Sequence, residues 1–88
     1  MSRLTDYQWL ILWELADSPG RFWRREDDWM ITGTHRDHKV TLQIEKLMGM
    51  GLIAESPDAE NLLYVKAEGL RHLQLRDYMD VLNRQNSK

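Results

Sequence analysis

One stretch, residues 40–66, restricts the possible folds more than any other. Val40, Ile44 and Leu47 recur at helical spacing within a narrow arc, so they form the buried seam of a helix. Gly51 stands just past the last turn, where a helix ends in a left-handed residue that glycine occupies at least cost. Residues 52–55 then read as a strand, Ser56-Pro57-Asp58-Ala59-Glu60 as a turn, and residues 61–66 as a second strand with Leu63 and Val65 alternating. A helix running through a glycine stop into a β-hairpin is a compact unit that needs further helices to cover it.

The flanking sequence supplies them. Thr5 is suited to cap a helix, with Gln8 completing a capping box, and Ser18-Pro19-Gly20 stops that helix after about Ala16. Ile11, Leu12 and Leu15 share one face, while Trp9, Leu10 and Trp13 carry the apolar surface further round. Such a helix should be buried on two sides. Residues 21–33 predict a short helix from about Arg24 to Met30, with Trp23 and Trp29 inward and Gly33 making the turn. Thr34 caps the next predicted helix, with Asp37 at the capping-box position, and this helix extends to about Met50. A last helix runs from Ala67 to about Asn83. The expected fold is mainly α with a small β-hairpin: a winged helix-turn-helix, in the order helix, helix, helix, wing, helix. It forms a single domain over residues 1–85, with residues 86–88 as a frayed end.

Composition narrows the class. A chain of 88 residues needs a core dense in large apolar groups, and Trp9, Trp13, Trp23 and Trp29 provide it. The absence of cysteine excludes disulfides and cysteine-based zinc sites. No apolar run reaches bilayer-spanning length, and no basic-then-apolar leader pattern opens the chain, so a cytoplasmic protein of a bacterium or phage is expected, with no membrane partner. The net charge is −2, and its distribution is uneven. Residues 51–68 carry Lys66 against Glu55, Asp58, Glu60 and Glu68, whereas the tail from Gly69 is basic.

The segment from Val40 to Ile53, with Leu47 followed by Gly51-Leu52-Ile53, resembles the recognition helix and wing approach of bacterial winged-helix regulators of the MarR and PadR types. Tyr64-Val65-Lys66-Ala67-Glu68-Gly69-Leu70 is similar to their wing exit, and Leu4-Thr5 before an apolar helix to their N-terminal region. The resemblance implies a DNA-binding, often dimeric, transcriptional regulator. Three features depart from it. The wing tip carries Pro57, Asp58 and Glu60 where such regulators carry basic residues, residues 22–33 do not match their second helix, and the terminal helices are shorter.

On this reading the outer face of the helix over residues 34–50 enters the major groove of double-stranded DNA. His38 and Lys39 would donate to guanine acceptors, Thr41 would bond a phosphate, and Arg36 would anchor the backbone, with His35 and Lys46 on the same face. Arg24 and Arg25 would reach phosphates from the preceding helix. The alternative is a protein-interaction module on the same frame, such as a phage-encoded inhibitor of a host complex. Leu42 at the centre of that face, the acidic wing and the negative net charge motivate it. On the last helix, Leu75, Tyr78, Met79 and Leu82 form a stripe that covers Trp9 and Trp13, either within one chain or across a homodimer. No enzyme, cofactor or metal is expected. His35 and His38 are spaced three apart and lack a third ligand, since His72 lies on another helix, and Glu26-Asp27-Asp28 diverge on their element.

Overall fold

Thr5 opens the first helix as its sequence predicts. The Gln8 amide donates to Thr5 Oγ1 at 3.0 Å and the Thr5 amide donates to Gln8 Oε1 at 3.1 Å, so the capping box is complete. The computed structural model describes residues 4–86, and α1 spans Asp6–Asp17. A 3₁₀ turn at Pro19–Arg21 leads into β1 (Phe22–Arg25), β2 (Asp28–Ile31) and β3 (His38–Lys39). Then follow α2 (Thr41–Gly49), β4 (Ile53–Glu55), β5 (Leu63–Val65), α3 (Ala67–Gln74) and α4 (Tyr78–Asn86). The described residues form four α-helices and two small antiparallel sheets, of order β1-β2-β3 and β4-β5. Asn86 closes α4; Ser87 and Lys88, the rest of the expected frayed end, lie outside the described residues.

The short helix expected around residues 24–30 is instead the β1–β2 hairpin. As paired strands, its residues alternate between two faces of the sheet. Phe22 pairs with Ile31 and Arg24 with Trp29 on one face, and Trp23 pairs with Met30 and Arg25 with Asp28 on the other. The first face is turned to the core, where Phe22, Trp29 and Ile31 are buried. Glu26 and Asp27 form the connecting turn, with Glu26 at φ 57°. Aromatic residues on both strands, with branched Ile31 on β2, favour this pleated surface over a helix. α2 is therefore preceded by strands, and the helix pair expected to make a helix-turn-helix is not formed.

A second correction follows at Thr34. Residues 34–37 are irregular and β3 intervenes, so the helix begins at Thr41 rather than after Thr34. Gly33 explains the detour. A Cβ there would lie 2.2 Å from the Arg36 carbonyl oxygen, so only glycine permits this close reversal. The far end agrees with the sequence: Gly51 has φ 76° and the seam of Val40, Ile44 and Leu47 is buried. That seam meets Leu12 and Leu15 of α1, Ile53 and Leu63 of the second sheet and Phe22, Trp29 and Ile31 of the first in one core.

The last helix is the third correction. It breaks at residues 75–77 into α3 and α4, which pack on α1. α3 starts close against the second sheet. A Cβ on buried Gly69 would lie 2.5 Å from the Leu52 carbonyl oxygen and 2.6 Å from Val65 Cγ1. No helix among the described residues is long and apolar enough to cross a membrane.

Two substitutions test these local arguments. Gly69→Ala forces α3 off the sheet and is expected to lower unfolding stability by about 2 kcal/mol, read as a lower denaturant midpoint at unchanged slope. Glu26→Gly removes a side chain from a left-handed turn position and is expected to raise stability by about 1 kcal/mol in the same measurement.

Candidate interaction surface

The seam of α2 fixes which of its residues face outward. Leu42, Glu45, Lys46 and Gly49 are all exposed and follow one another at helical spacing, so they form a single outer stripe. Leu42 is 58% exposed in the first turn, a large apolar side chain standing clear of the core. The stripe carries one acid and one base.

Thr41 anchors the start of this helix. Its hydroxyl accepts from the Trp29 amide at 2.8 Å and donates to Asp28 Oδ1 at 2.9 Å. The Val40 amide donates to the Trp29 carbonyl at 2.8 Å beside it. The first turn of α2 is thereby bound to β2, and Thr41, half-buried, has its hydroxyl proton directed inward.

The other cations expected to share one face are distributed by the sheet. His38 pairs with Ile31, and Lys39 with Met30, so the two side chains leave β3 on opposite faces. Lys39 shares its face of the sheet with Trp23, Arg25 and Met30, of which only Met30 is buried. His35 and Arg36 are exposed in the irregular segment before β3. Arg24 is half-buried with its guanidinium 5.1 Å from the Trp29 ring centroid. It also lines, with residues 55–61, an open groove of ≈ 690 Å³, and so faces the acidic β4–β5 loop with Glu55, Asp58 and Glu60. Lys46 lies on the outer stripe of α2. The expected DNA-facing residues thus occupy several separate positions, and among them only Lys46 belongs to the stripe itself.

The C-terminal residues divide as well. Trp9 is 1% exposed and its indole Nε1 donates to the His72 carbonyl at 3.3 Å. Trp13 stacks on Tyr78 of the same chain, with ring centroids 3.9 Å apart. Leu82 is half-buried, while Leu75 and Met79 are 77% and 55% exposed. Val81, fully buried, carries the inward contact that the sequence reading did not assign; its spacing of three from Tyr78 was the available signal. Asp6 receives both Arg76 and Arg84, an arrangement without a local sequence signature. Among the described residues no three His, Asp or Glu side chains are grouped to hold a metal ion.

Comparison with protein-family models, curated proteins and solved structures finds no match for this chain.

The Thr41 hydroxyl sets the position of the candidate surface. Thr41→Ala leaves the Trp29 amide without its acceptor and is expected to cost about 2 kcal/mol of stability, with faster hydrogen exchange at that amide, whereas Thr41→Ser keeps both bonds and most of the stability.

Proposed function

We propose that this domain works by docking onto another macromolecule through the outer stripe of α2 and the neighbouring wing, and that this partner is a protein. The observation that carries the reading is the character of the stripe: exposed Leu42 beside one acid and one base. An exposed leucine rimmed by polar groups suits the centre of a protein interface, where apolar contact is surrounded by a polar rim. The wing adds Glu55, Asp58 and Glu60, which attract a basic partner surface and oppose a phosphate backbone. On this reading the frame is a variant winged helix, with α2 running into the β4–β5 hairpin and the β1–β2 hairpin standing where a second helix was expected.

A second reading, a DNA-binding regulator, draws on one specific observation. His35, Arg36, His38 and Lys39 are all exposed in the segment that delivers the chain to the start of α2. Cations there can meet phosphates even where the wing does not.

The two readings separate in one set of experiments. Immobilised domain is expected to recover a stoichiometric protein partner from lysate of its source cell or of that cell's phage-infected culture. Leu42→Glu, or charge reversal at Asp58 and Glu60, is expected to weaken that complex at least tenfold while leaving the fold intact by circular dichroism. Retention of duplex DNA instead, with affinity falling steeply with salt and lost on Lys39→Ala, would transfer the assignment to the second reading.

A further inference from the structure

The break between α3 and α4 has no glycine or proline. Leu75, the residue at which α3 ends, sits at φ −85°, ψ −8°, inside the helical region. Nothing in residues 67–86 prevents one continuous helix, and the sequence predicts a single helix over most of this span. Three interactions divide it.

The first comes from Trp9. In a continuous helix the His72 carbonyl would accept from the Arg76 amide. Here it accepts from Trp9 Nε1 at 3.3 Å and from the Leu75 amide at 3.3 Å, which tightens the last turn and leaves the ladder there. The second is a new cap. Asp77 Oδ1 accepts from the Met79 amide at 2.8 Å and the Asp77 carbonyl from the Val81 amide at 3.1 Å, so Asp77 starts α4 afresh. The third is the grip on α1: Tyr78 stacks on Trp13, Val81 is buried, and Asp6 holds Arg76 at the break and Arg84 on α4.

The closed form leaves one apolar group unused. Leu75 is 77% exposed at the bend and Met79 55% exposed beside it. In a continuous helix Leu75, Tyr78, Met79 and Leu82 would fall on one stripe, at spacings of three, four and seven. Straightening would also carry Tyr78 and Val81 off α1 and bare Trp13.

We propose that α3 and α4 interconvert with one straight helix, and that the α1 face so vacated is filled by α4 of a second copy of this chain. The occupant follows from the fit: the face holding Tyr78, Val81 and Arg84 in one chain holds the same side chains from another with the same contacts. In the swapped pair the two straightened bends pass each other, and Leu75 and Met79 gain an apolar partner that the monomer denies them. Either of the readings above can fail without affecting this one.

Mass measurement by light scattering across a concentration series tests it. The full chain is expected to form a dimer that returns to monomer slowly on dilution, because α4 must leave α1 first. Asp77→Ala removes the cap at the break, and Trp9→Phe removes the indole donor but keeps an aromatic ring. Each is expected to lower the half-pairing concentration about tenfold. Leu75→Gly disfavours the straight helix and removes the exposed leucine, and is expected to raise it by a similar factor. Asp77→Ala alters no buried side chain, so it remains informative if Trp9→Phe folds poorly. The proposal is overturned if the chain and Asp77→Ala both stay monomeric up to about 1 mM, a concentration at which even a weak pair forms. It is equally overturned by a dimer that is indifferent to Asp77→Ala and Leu75→Gly, or that dissociates immediately on dilution.

Discussion

α1 is covered on two sides and turns only a narrow strip, marked by Tyr7 at 45% exposure and by Asp17, to solvent. Ile11, Leu12 and Leu15 enter the core against α2 and the second sheet, while Trp9 and Trp13 lie under the C-terminal helices. An amphipathic helix normally commits one face to the interior and leaves the other to water. Burying both lets a short chain build two layers on one rod, which suits a domain whose surface-to-volume ratio works against it. The core layer holds the sheets and α2 in place; in the outer layer α4 rests on α1, while α3 also meets the second sheet at Gly69. Loosening α1 would release both; loosening α4 would release one.

This division explains how much the sequence disclosed. Elements governed by local chemistry were legible: the Thr5 capping box, the Val40/Ile44/Leu47 seam, the left-handed Gly51 and the β4–β5 hairpin. The two-sided burial of α1 was also visible, because Trp9 and Trp13 fall off the Ile11/Leu12/Leu15 face. Elements governed by contacts distant in sequence were not. Residues 22–31 carry no apolar alternation, since Phe22-Trp23 and Trp29-Met30-Ile31 are consecutive apolar runs around a charged stretch, and the hairpin register is set by a two-residue turn that uses glutamate where glycine is usual. Thr34 has the chemistry of a helix cap, yet β3 pairs with β2 and moves the cap six residues onward, to Val40. The break at residues 75–77 depends on an indole from α1, sixty-three positions away in the chain.

The candidate surface follows the same logic. Reading residues 34–50 as one helix put His35, His38, Lys39 and Lys46 side by side. A strand interposed among them alternates its side chains and scatters the charge. Arg24 faces the β4–β5 loop, and Arg76 and Arg84 turn to Asp6, so several of the basic residues serve contacts inside the chain. What remains on the outer stripe of α2 is chemically mixed, and its most distinctive member is a leucine.

The contact of Arg84 with Asp6, at 3.1 Å, closes the described chain nearly into a ring. Residues almost at opposite ends of the sequence occupy one spot on the surface. A linker of a few residues between Asp6 and Arg84 would join these two positions without rearranging the fold, so a chain opened instead at the exposed β4–β5 loop would be a circular permutant of the same shape. A protein fused before α1 and one fused after α4 would likewise emerge side by side, on the flank where α4 meets α1, leaving the outer stripe of α2 to be approached from elsewhere.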